Sequence, residues 1–186
     1  MSQGMAGTTR LGGNGKVTST RTTLVRTLDD LAALRARELR ALYDKGTVPE
    51  SLAVLDGDLV GRMLAVVRLD RAVSRRLLAA FSRAPAFPWA GKSFHADNET
   101  TGMGINRVKL AGTRRWFPFA TRVGSSILDD APAVILDYDQ PENPAPIRMI
   151  HDEIREVAPK LFLGPAALKR GNARPVTVLW FALHAK

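Results

Sequence analysis

The middle of the chain reads Trp89-Ala90-Gly91-Lys92-Ser93-Phe94, and about forty residues later it reads Asp137-Tyr138-Asp139-Gln140-Pro141. Each stretch places charged groups beside aromatic and β-favouring residues. This combination is typical of strands that line a small barrel with polar groups in its cavity. The two stretches therefore predict a barrel, and the sequence on either side can be tested against that expectation.

From Trp89 onward the sequence favours strands. Ile105–Leu110 and Arg115–Val123 alternate between two faces, and Ala111-Gly112-Thr113 between them is a short hairpin connection. Closing the sheet is the usual way to remove exposed edges at this size. We expect a mainly β fold (α+β by content), an antiparallel barrel. Its other strands are predicted at Leu59–Leu69, Ala133–Tyr138, Leu161–Leu168 and Val176–His184.

Helical patterns interrupt the strands. Leu28–Tyr43 predicts an N-terminal helix with Thr27 as its N-cap. Shorter inserted helices are predicted over Arg71–Arg83 and Pro146–Val157 from apolar residues at helical spacing. Residues 1–22 are rich in Gly, Thr and Ser and predict a flexible tail. Residues 23–186 are expected to form a single barrel domain with these helical additions.

The composition excludes several kinds of site. The 186 residues include no Cys, which rules out disulfides, thiolate metal ligands and a Cys nucleophile and agrees with a cytoplasmic location. The apolar runs fall short of the roughly 20 residues of a membrane span. The net charge of +9 indicates either attraction to an anionic partner or an Arg-rich soluble surface. Specific nucleic-acid binding is not expected, because RNA-binding aromatic signatures and zinc-finger spacings are missing.

The order of motifs resembles uncharacterised bacterial and fungal proteins that pair a G-x-W-x-G segment with a domain opening W-x-G-K-x-F. Gly57-Asp58-Leu59-Val60-Gly61 stands where the first motif would be, with Leu59 in place of its Trp. Trp89–Phe94 matches the second motif at every fixed position. Tyr138–Pro141 is similar to the family's Y-D-x-x-P, and Arg155 through Leu163-Gly164 to its R…L-G ending.

This resemblance implies a calycin-like barrel similar in architecture to lipocalins and nitrobindins. Such barrels bind hydrophobic small molecules, and some bind haem. Haem is a minor expectation here, with His95, His151 or His184 as the axial ligand, and no other cofactor is expected. The three His do not have metal-ligand spacing, so no metal site is predicted.

Lys92 is the sharpest single candidate for chemistry. It follows Trp89 and Gly91, so its stem can run along an aromatic wall and hold the amine at the mouth of a cavity. A desolvated Lys can act as a base or bind an anionic group. The alternative is a surface Lys that pairs with Asp139 or Glu142.

Three further residues are candidates for proton transfer. Tyr138 and Asp139 face opposite ways in a regular strand, so only one of them can point inward. A buried Asp139 would need a cation or hydrogen-bond donors, which Arg107, Lys109, Arg115 or Arg122 could supply. On the predicted third helix, His151 borders the apolar stripe. It is either a general base or a hydrogen-bonded boundary residue.

The leading hypothesis is a barrel that binds a small hydrophobic ligand with an anionic head. Lys92 and Arg107 are the candidates for the head group. The second hypothesis is an enzyme, an isomerase, cyclase or lyase acting on a lipid-like or polyketide-like substrate; convergence of two proton-transfer candidates inside one cavity would favour it. The third is an anionic membrane surface bound through Arg71, Arg75, Arg76 and Arg83. The expected cavity wall comprises Trp89, Phe94, Trp116, Phe117, Tyr138 and Trp180.

Overall fold

Strands pair with their neighbours in chain order, and the last strand pairs with the first, so the sheet closes into an antiparallel barrel. The computed structural model describes residues 25–66, 89–109, 111–171 and 173–186. The predicted fold class is confirmed. The strands are β1 Gly57–Val66, β2 Trp89–Ala96, β3 Thr101–Lys109, β4 Thr113–Ser125, β5 Pro132–Asp137, β6 Ile150–Ala158, β7 Leu161–Arg170 and β8 Ala173–His184.

The barrel interior is a single apolar core. It draws inward-facing residues from seven of the eight strands, all but β3, among them Phe94, Phe119, Phe162 and Phe181. A 3-10 helix, Leu52–Leu55, closes one end and contributes two buried leucines to the core. A one-turn helix, α3 (Ala145–Arg148), lies between β5 and β6 at the other end and buries Ile147. Apolar side chains thus make up this core and cover both ends of the barrel.

The N-terminal helix is present but divided. Helix α1 covers Leu28–Ala32 and α2 covers Ala36–Tyr43. The predicted cap is confirmed, because the Thr27 side chain accepts a hydrogen bond from the Asp30 N–H and the Asp30 carboxylate accepts one from Thr27 N–H. The break falls at Arg35, the N-cap of α2, a charged residue that interrupts the apolar face of the predicted helix.

Both helices pack on the outside of the barrel. Leu31, Leu39 and Tyr43 form a second apolar cluster with outward-facing residues of β7 and β8, including Leu163 and Trp180. The molecule therefore has two layers, a filled barrel and a helical layer over one wall. No helix in the described ranges is long and apolar enough to cross a membrane.

The prediction of a helix over Pro146–Val157 is wrong. Only α3 is helical there, and β6 follows from Ile150. Ile147, Ile150, Ile154 and Val157 match helical spacing, yet Ile150, Asp152 and Ile154 alternate inward along a strand. The predicted tail and the Arg71–Arg83 helix lie outside the described residues.

Candidate ligand-binding site

A bulge in β2 turns two residues of the W-x-G-K-x-F motif into the barrel. Trp89 and Lys92 are three positions apart and would face opposite ways in a regular strand. The β2–β3 register shifts between Trp89 and Gly91, and Gly91 has a φ of 125°. A Cβ there would lie 2.1 Å from the Leu59 carbonyl oxygen, so only glycine fits. The bulge lets both side chains face inward.

Lys92 reaches across the interior to the opposite wall. Its Nζ donates to Asn106 Oδ1 at 2.9 Å, to Asp152 Oδ2 at 3.0 Å and to the Tyr138 hydroxyl. Strands β2 and β6 are four places apart in a ring of eight, so the Lys92–Asp152 ion pair spans the barrel. We call Lys92, Asn106, Tyr138 and Asp152 the interior cluster.

The members of the interior cluster also bind one another. The Tyr138 hydroxyl donates to Asp152 Oδ2 at 3.1 Å and accepts from Asn106 Nδ2 at 2.9 Å. Trp89 Nε1 donates to Asn106 Oδ1 at 3.1 Å. A polar network of this kind is rigid because each group holds its neighbour in one orientation.

The interior cluster lies in an apolar, aromatic environment. The Lys92 residue is 2% exposed, and its Nζ lies 5.1–5.5 Å from the ring centroids of Trp89, Phe119, Tyr138 and Phe181. Burial lowers the pKa of the Lys92 ammonium, and the Asp152 carboxylate opposes part of that effect. Burial also raises the pKa of the Tyr138 phenol, with Asp152 acting in the same direction, so the hydroxyl keeps its proton.

A groove lies between the β3–β4 wall and the loop that precedes α3. It has a volume of about 470 Å³, and we call it the mouth groove. Its residues Asn143 and Phe117 contact the cluster directly. Asn143 Nδ2 donates to the Tyr138 carbonyl at 2.8 Å, and Asn106 Nδ2 donates to the Phe117 carbonyl at 3.2 Å. The lining is Ile105, Arg115, Trp116, Phe117, Pro118, Glu142, Asn143 and Pro144.

Phe117 has an unusual backbone in this wall. Its φ is 60°, at the place where the β3–β4 register shifts. A left-handed conformation costs a non-glycine residue roughly 1–2 kcal/mol, and such residues concentrate at binding sites. The bulge directs the Phe117 carbonyl to Asn106 while the ring packs against the interior core. The groove and the cluster are thus joined through a strained residue.

The structure brings many of the expected site residues together. Lys92 and Tyr138 are in contact, and Trp89 binds the same network. Phe94 is buried in the interior core and packs edge-on against Phe119. Trp116 and Phe117 line the mouth groove, and Trp116 is 38% exposed. Lys92 does not pair at the surface with Asp139 or Glu142, because it is bound inside to Asp152.

Other expected site residues lie elsewhere. Asp139 is exposed and pairs with Arg148 at 2.6 Å. Arg107 pairs with Asp58 at 3.0 Å and donates to the Leu59 carbonyl on the outer side of the sheet, so it does not reach the cavity. Trp180 belongs to the second apolar cluster, under the N-terminal helices, where its ring meets Tyr43 edge-on.

His151 lies on β6 in a polar network between the barrel and helix α2. Its Nε2 is 3.3 Å from Glu153 Oε2, and the fully buried Glu153 also accepts from the Tyr43 hydroxyl at 2.8 Å. Arg155 stacks over the Tyr43 ring and binds Asp129. We call Tyr43, Ser126, Asp129, His151, Glu153 and Arg155 the outer network. It fastens α2 to the wall, so His151 is a boundary residue there.

Sequence reasoning missed Asn106 and Asp152. Asp152 falls within the helix predicted over Pro146–Val157, although it alternates with Ile150 and Ile154 in the manner of a strand. Asn106 is the direct β3 partner of Lys92 across the sheet. A polar residue at an inward position of a strand was the available signal, and the predicted Ile105–Leu110 strand contained it.

Histidine ligation of a haem inside the barrel does not fit this arrangement. His95 and His184 alternate with inward-facing neighbours and therefore point outward, and His151 lies in the outer network. The interior thus offers no imidazole to an iron. Within the described ranges, no group of three His, Asp or Glu side chains is placed to hold a metal ion.

Comparison with known proteins gives one similar structure. No protein-family model matches the chain, and no curated protein is significantly similar to it. The crystal structure of a protein from Thermomonospora curvata is similar with a TM-score of 0.48 and 19% sequence identity. The match covers 82% of this chain and 88% of that one. The assignment of the barrel rests on the strand pairing of this chain itself.

Proposed function

We propose that this chain binds a small hydrophobic molecule whose body occupies the mouth groove and whose polar head reaches the interior cluster. The observation that carries the proposal is the Lys92–Asp152 pair in an apolar interior, with 3% and 6% of the two side chains exposed. Burying two charges costs several kcal/mol per ion, and apolar residues of similar volume are often as stable. A placed polar group in an apolar barrel is therefore better explained by recognition than by stability.

The groove supplies the apolar part of this site. Its volume lies within the range of small-molecule pockets, and Ile105, Trp116 and Phe117 give it apolar walls. Trp116 keeps a large exposed surface, which a bound hydrophobic body would cover. The anionic head expected from the sequence is not part of this proposal, because Lys92 already pairs with the Asp152 carboxylate.

Native mass spectrometry tests the proposal. We expect the purified protein to carry a small molecule that is lost on denaturation. Trp116→Ala removes one wall of the groove and should lower the bound fraction at least threefold. Met149→Ala is the matched control, because Met149 is similarly exposed but lies outside the groove lining. Equal occupancy in the two variants would place the ligand elsewhere and contradict the proposal.

The same geometry favours a second candidate function, proton transfer at carbon. Lys92 and Tyr138, two of the residues expected to move protons, converge on the Asp152 carboxylate. In that reaction, Asp152 takes a proton from the carbon next to a ketone. Once Asp152 is protonated, the Tyr138 hydroxyl and the Lys92 ammonium turn from its Oδ2 to hydrogen-bond the enolate oxygen, and the proton then returns to the same or a neighbouring carbon.

Hydrogen–deuterium exchange of a simple ketone tests this second function. 2-Tetralone in D₂O should exchange its α-protons faster with the protein than with buffer, as followed by proton NMR. Asp152→Asn should remove the acceleration, whereas Asp139→Asn should keep it, because Asp139 pairs with Arg148 at the surface. If the ketone binds but its α-protons exchange no faster than in buffer, proton transfer is rejected and ligand binding remains the proposed function.

A further inference from the structure

The two oxygens of the Asp152 carboxylate have different surroundings. Oδ2 accepts from Lys92 Nζ at 3.0 Å and from the Tyr138 hydroxyl at 3.1 Å. Oδ1 is buried and accepts no hydrogen bond within the described part of the chain. A buried carboxylate oxygen without a donor is unfavourable, because water has been removed and nothing replaces it.

The donors of the interior cluster are fully used. A lysine ammonium has three hydrogens, and Lys92 directs them to Asn106, Tyr138 and Asp152. Both Asn106 Nδ2 hydrogens are taken, by the Phe117 carbonyl and the Tyr138 hydroxyl. The Tyr138 hydroxyl gives its single hydrogen to Asp152. The cluster therefore offers an open acceptor and has no donor to spare.

We propose, on the basis of the ligand-binding function above, that the ligand's head is an uncharged hydroxyl group that donates to Asp152 Oδ1. A phenol, an enol or an alcohol on a hydrophobic body has this chemistry. A carboxylate or phosphate head would bring only acceptors to a cluster without free donors, next to an existing negative charge. An ether or ketone would leave Oδ1 unpaired.

A water molecule is the other donor small enough to fill this position. With a water at Oδ1, the site would not distinguish an alcohol from an ether of the same shape. Discrimination between probes that differ only in the head group therefore separates the two occupants.

Three naphthalene probes with different heads test the proposal by isothermal titration at pH 7. 2-Naphthol should bind about ten times more tightly than 2-methoxynaphthalene, because only the phenol donates to Oδ1. 2-Naphthoate should bind most weakly of the three. In Asp152→Asn the order should reverse, because Lys92 loses its carboxylate partner and a bound naphthoate replaces it.

Asp139→Asn is the matched control and should keep the wild-type order, because it removes a carboxylate at the exposed pair with Arg148. Equal affinities of the wild type for naphthol and methoxynaphthalene, or tightest binding of naphthoate, would overturn the hydroxyl inference and leave the ligand-binding function standing. Binding of none of the three probes would overturn both. The wild-type order decides the question even if Asp152→Asn does not fold.

Discussion

At the scale of single residues, Lys92 and Asp152 depend on each other. Neither side chain reaches solvent, so each is the counter-charge of the other in an apolar interior. Lys92→Met should lower the free energy of unfolding by about 3–5 kcal/mol, because it leaves a buried carboxylate without a cation. Urea denaturation at pH 7 measures this loss.

The double variant Lys92→Met/Asp152→Asn is the control for this prediction. It removes both charges and should recover most of the lost free energy of unfolding, because no unpaired charge is left buried in the apolar interior. A single variant as stable as the wild type would show that the two charges are not isolated from water.

Asp129 makes the stability contributed by the outer network depend on pH. Hydrogen bonds from the Arg155 guanidinium lower the pKa of the Asp129 carboxyl from 3.8 to about 2, although burial acts in the opposite direction. Because the folded pKa lies below the unfolded one, the stabilisation is complete above pH 4 and is lost as the pH falls toward 2. Because Asp129 is partly exposed, solvent screening limits this stabilisation to about 1 kcal/mol.

Asp129→Asn should therefore lose that amount at pH 7 and show a flatter stability profile between pH 4 and 2. Denaturation at a series of pH values measures it. The neighbouring variant Asp130→Asn is the control, because Asp130 is 75% exposed and pairs loosely with Arg174. An acid profile unchanged by Asp129→Asn would mean that other carboxyls carry the transition.

Single residues were predictable from sequence where a local motif surrounds them. The Trp89–Phe94 stretch pointed to Lys92, and strand alternation allowed only one of Tyr138 and Asp139 to point inward, without deciding which. The Asp152 partner was not predictable in this way, because it lies 60 residues away and only the barrel brings it opposite Lys92. Arg107 was assigned to the cavity because the sequence does not tell which face of β3 is inward.

At the scale of elements, β6 and β7 approach each other closely at Gly164. A Cβ at this position would lie 1.8 Å from the Glu153 carbonyl oxygen and 2.8 Å from Ile154 Cγ2. Gly164→Ala should cost about 3 kcal/mol or more, at the upper end of overpacking effects, because the obstacle is backbone and cannot rotate away. Thermal and urea denaturation both report this loss.

Gly171→Asn is the matched control for this glycine. Its φ is 54° and an added Cβ meets nothing within 4 Å, and asparagine tolerates this conformation. The variant should stay within about 0.5 kcal/mol of the wild type. A Gly164→Ala protein that is equally stable would require β6 and β7 to lie farther apart.

Most strands were predictable, but β6 was not. Alternating apolar residues mark β3 and β4, because one face of each strand is exposed to solvent and the other is buried. β6 carries Asp152 on its inner face, while its outer face is covered by α2 and the outer network. Both faces of β6 therefore carry polar and apolar residues, and its sequence does not show the alternation of apolar and polar residues that is typical of a strand.

At the scale of the whole molecule, the three tryptophans report on three different places. Trp89 lies inside the barrel, Trp116 in the mouth groove and Trp180 under the outer helices. A closed barrel cannot release one strand without exposing two edges, so we expect it to unfold in a single step. Three variants, each keeping one Trp and replacing the other two with Phe, should therefore each show a single unfolding transition.

Fluorescence of these variants in urea, compared with far-ultraviolet circular dichroism, measures this cooperativity. In each variant the two signals should give coincident midpoints. An earlier fluorescence midpoint for the Trp180 variant alone would show that the helical layer separates before the barrel opens.

The Lys92–Asp152 pair also has a consequence for the order of folding. Its two members belong to different halves of the chain, and their charges meet only when β2 and β6 stand opposite each other. Contacts between residues so distant in sequence form after local hairpins, because the long intervening loop must first be closed. The pair should consequently be absent from the folding transition state and stabilise only the completed barrel. Removing it should speed the opening of the finished barrel and leave the rate of its assembly nearly unchanged.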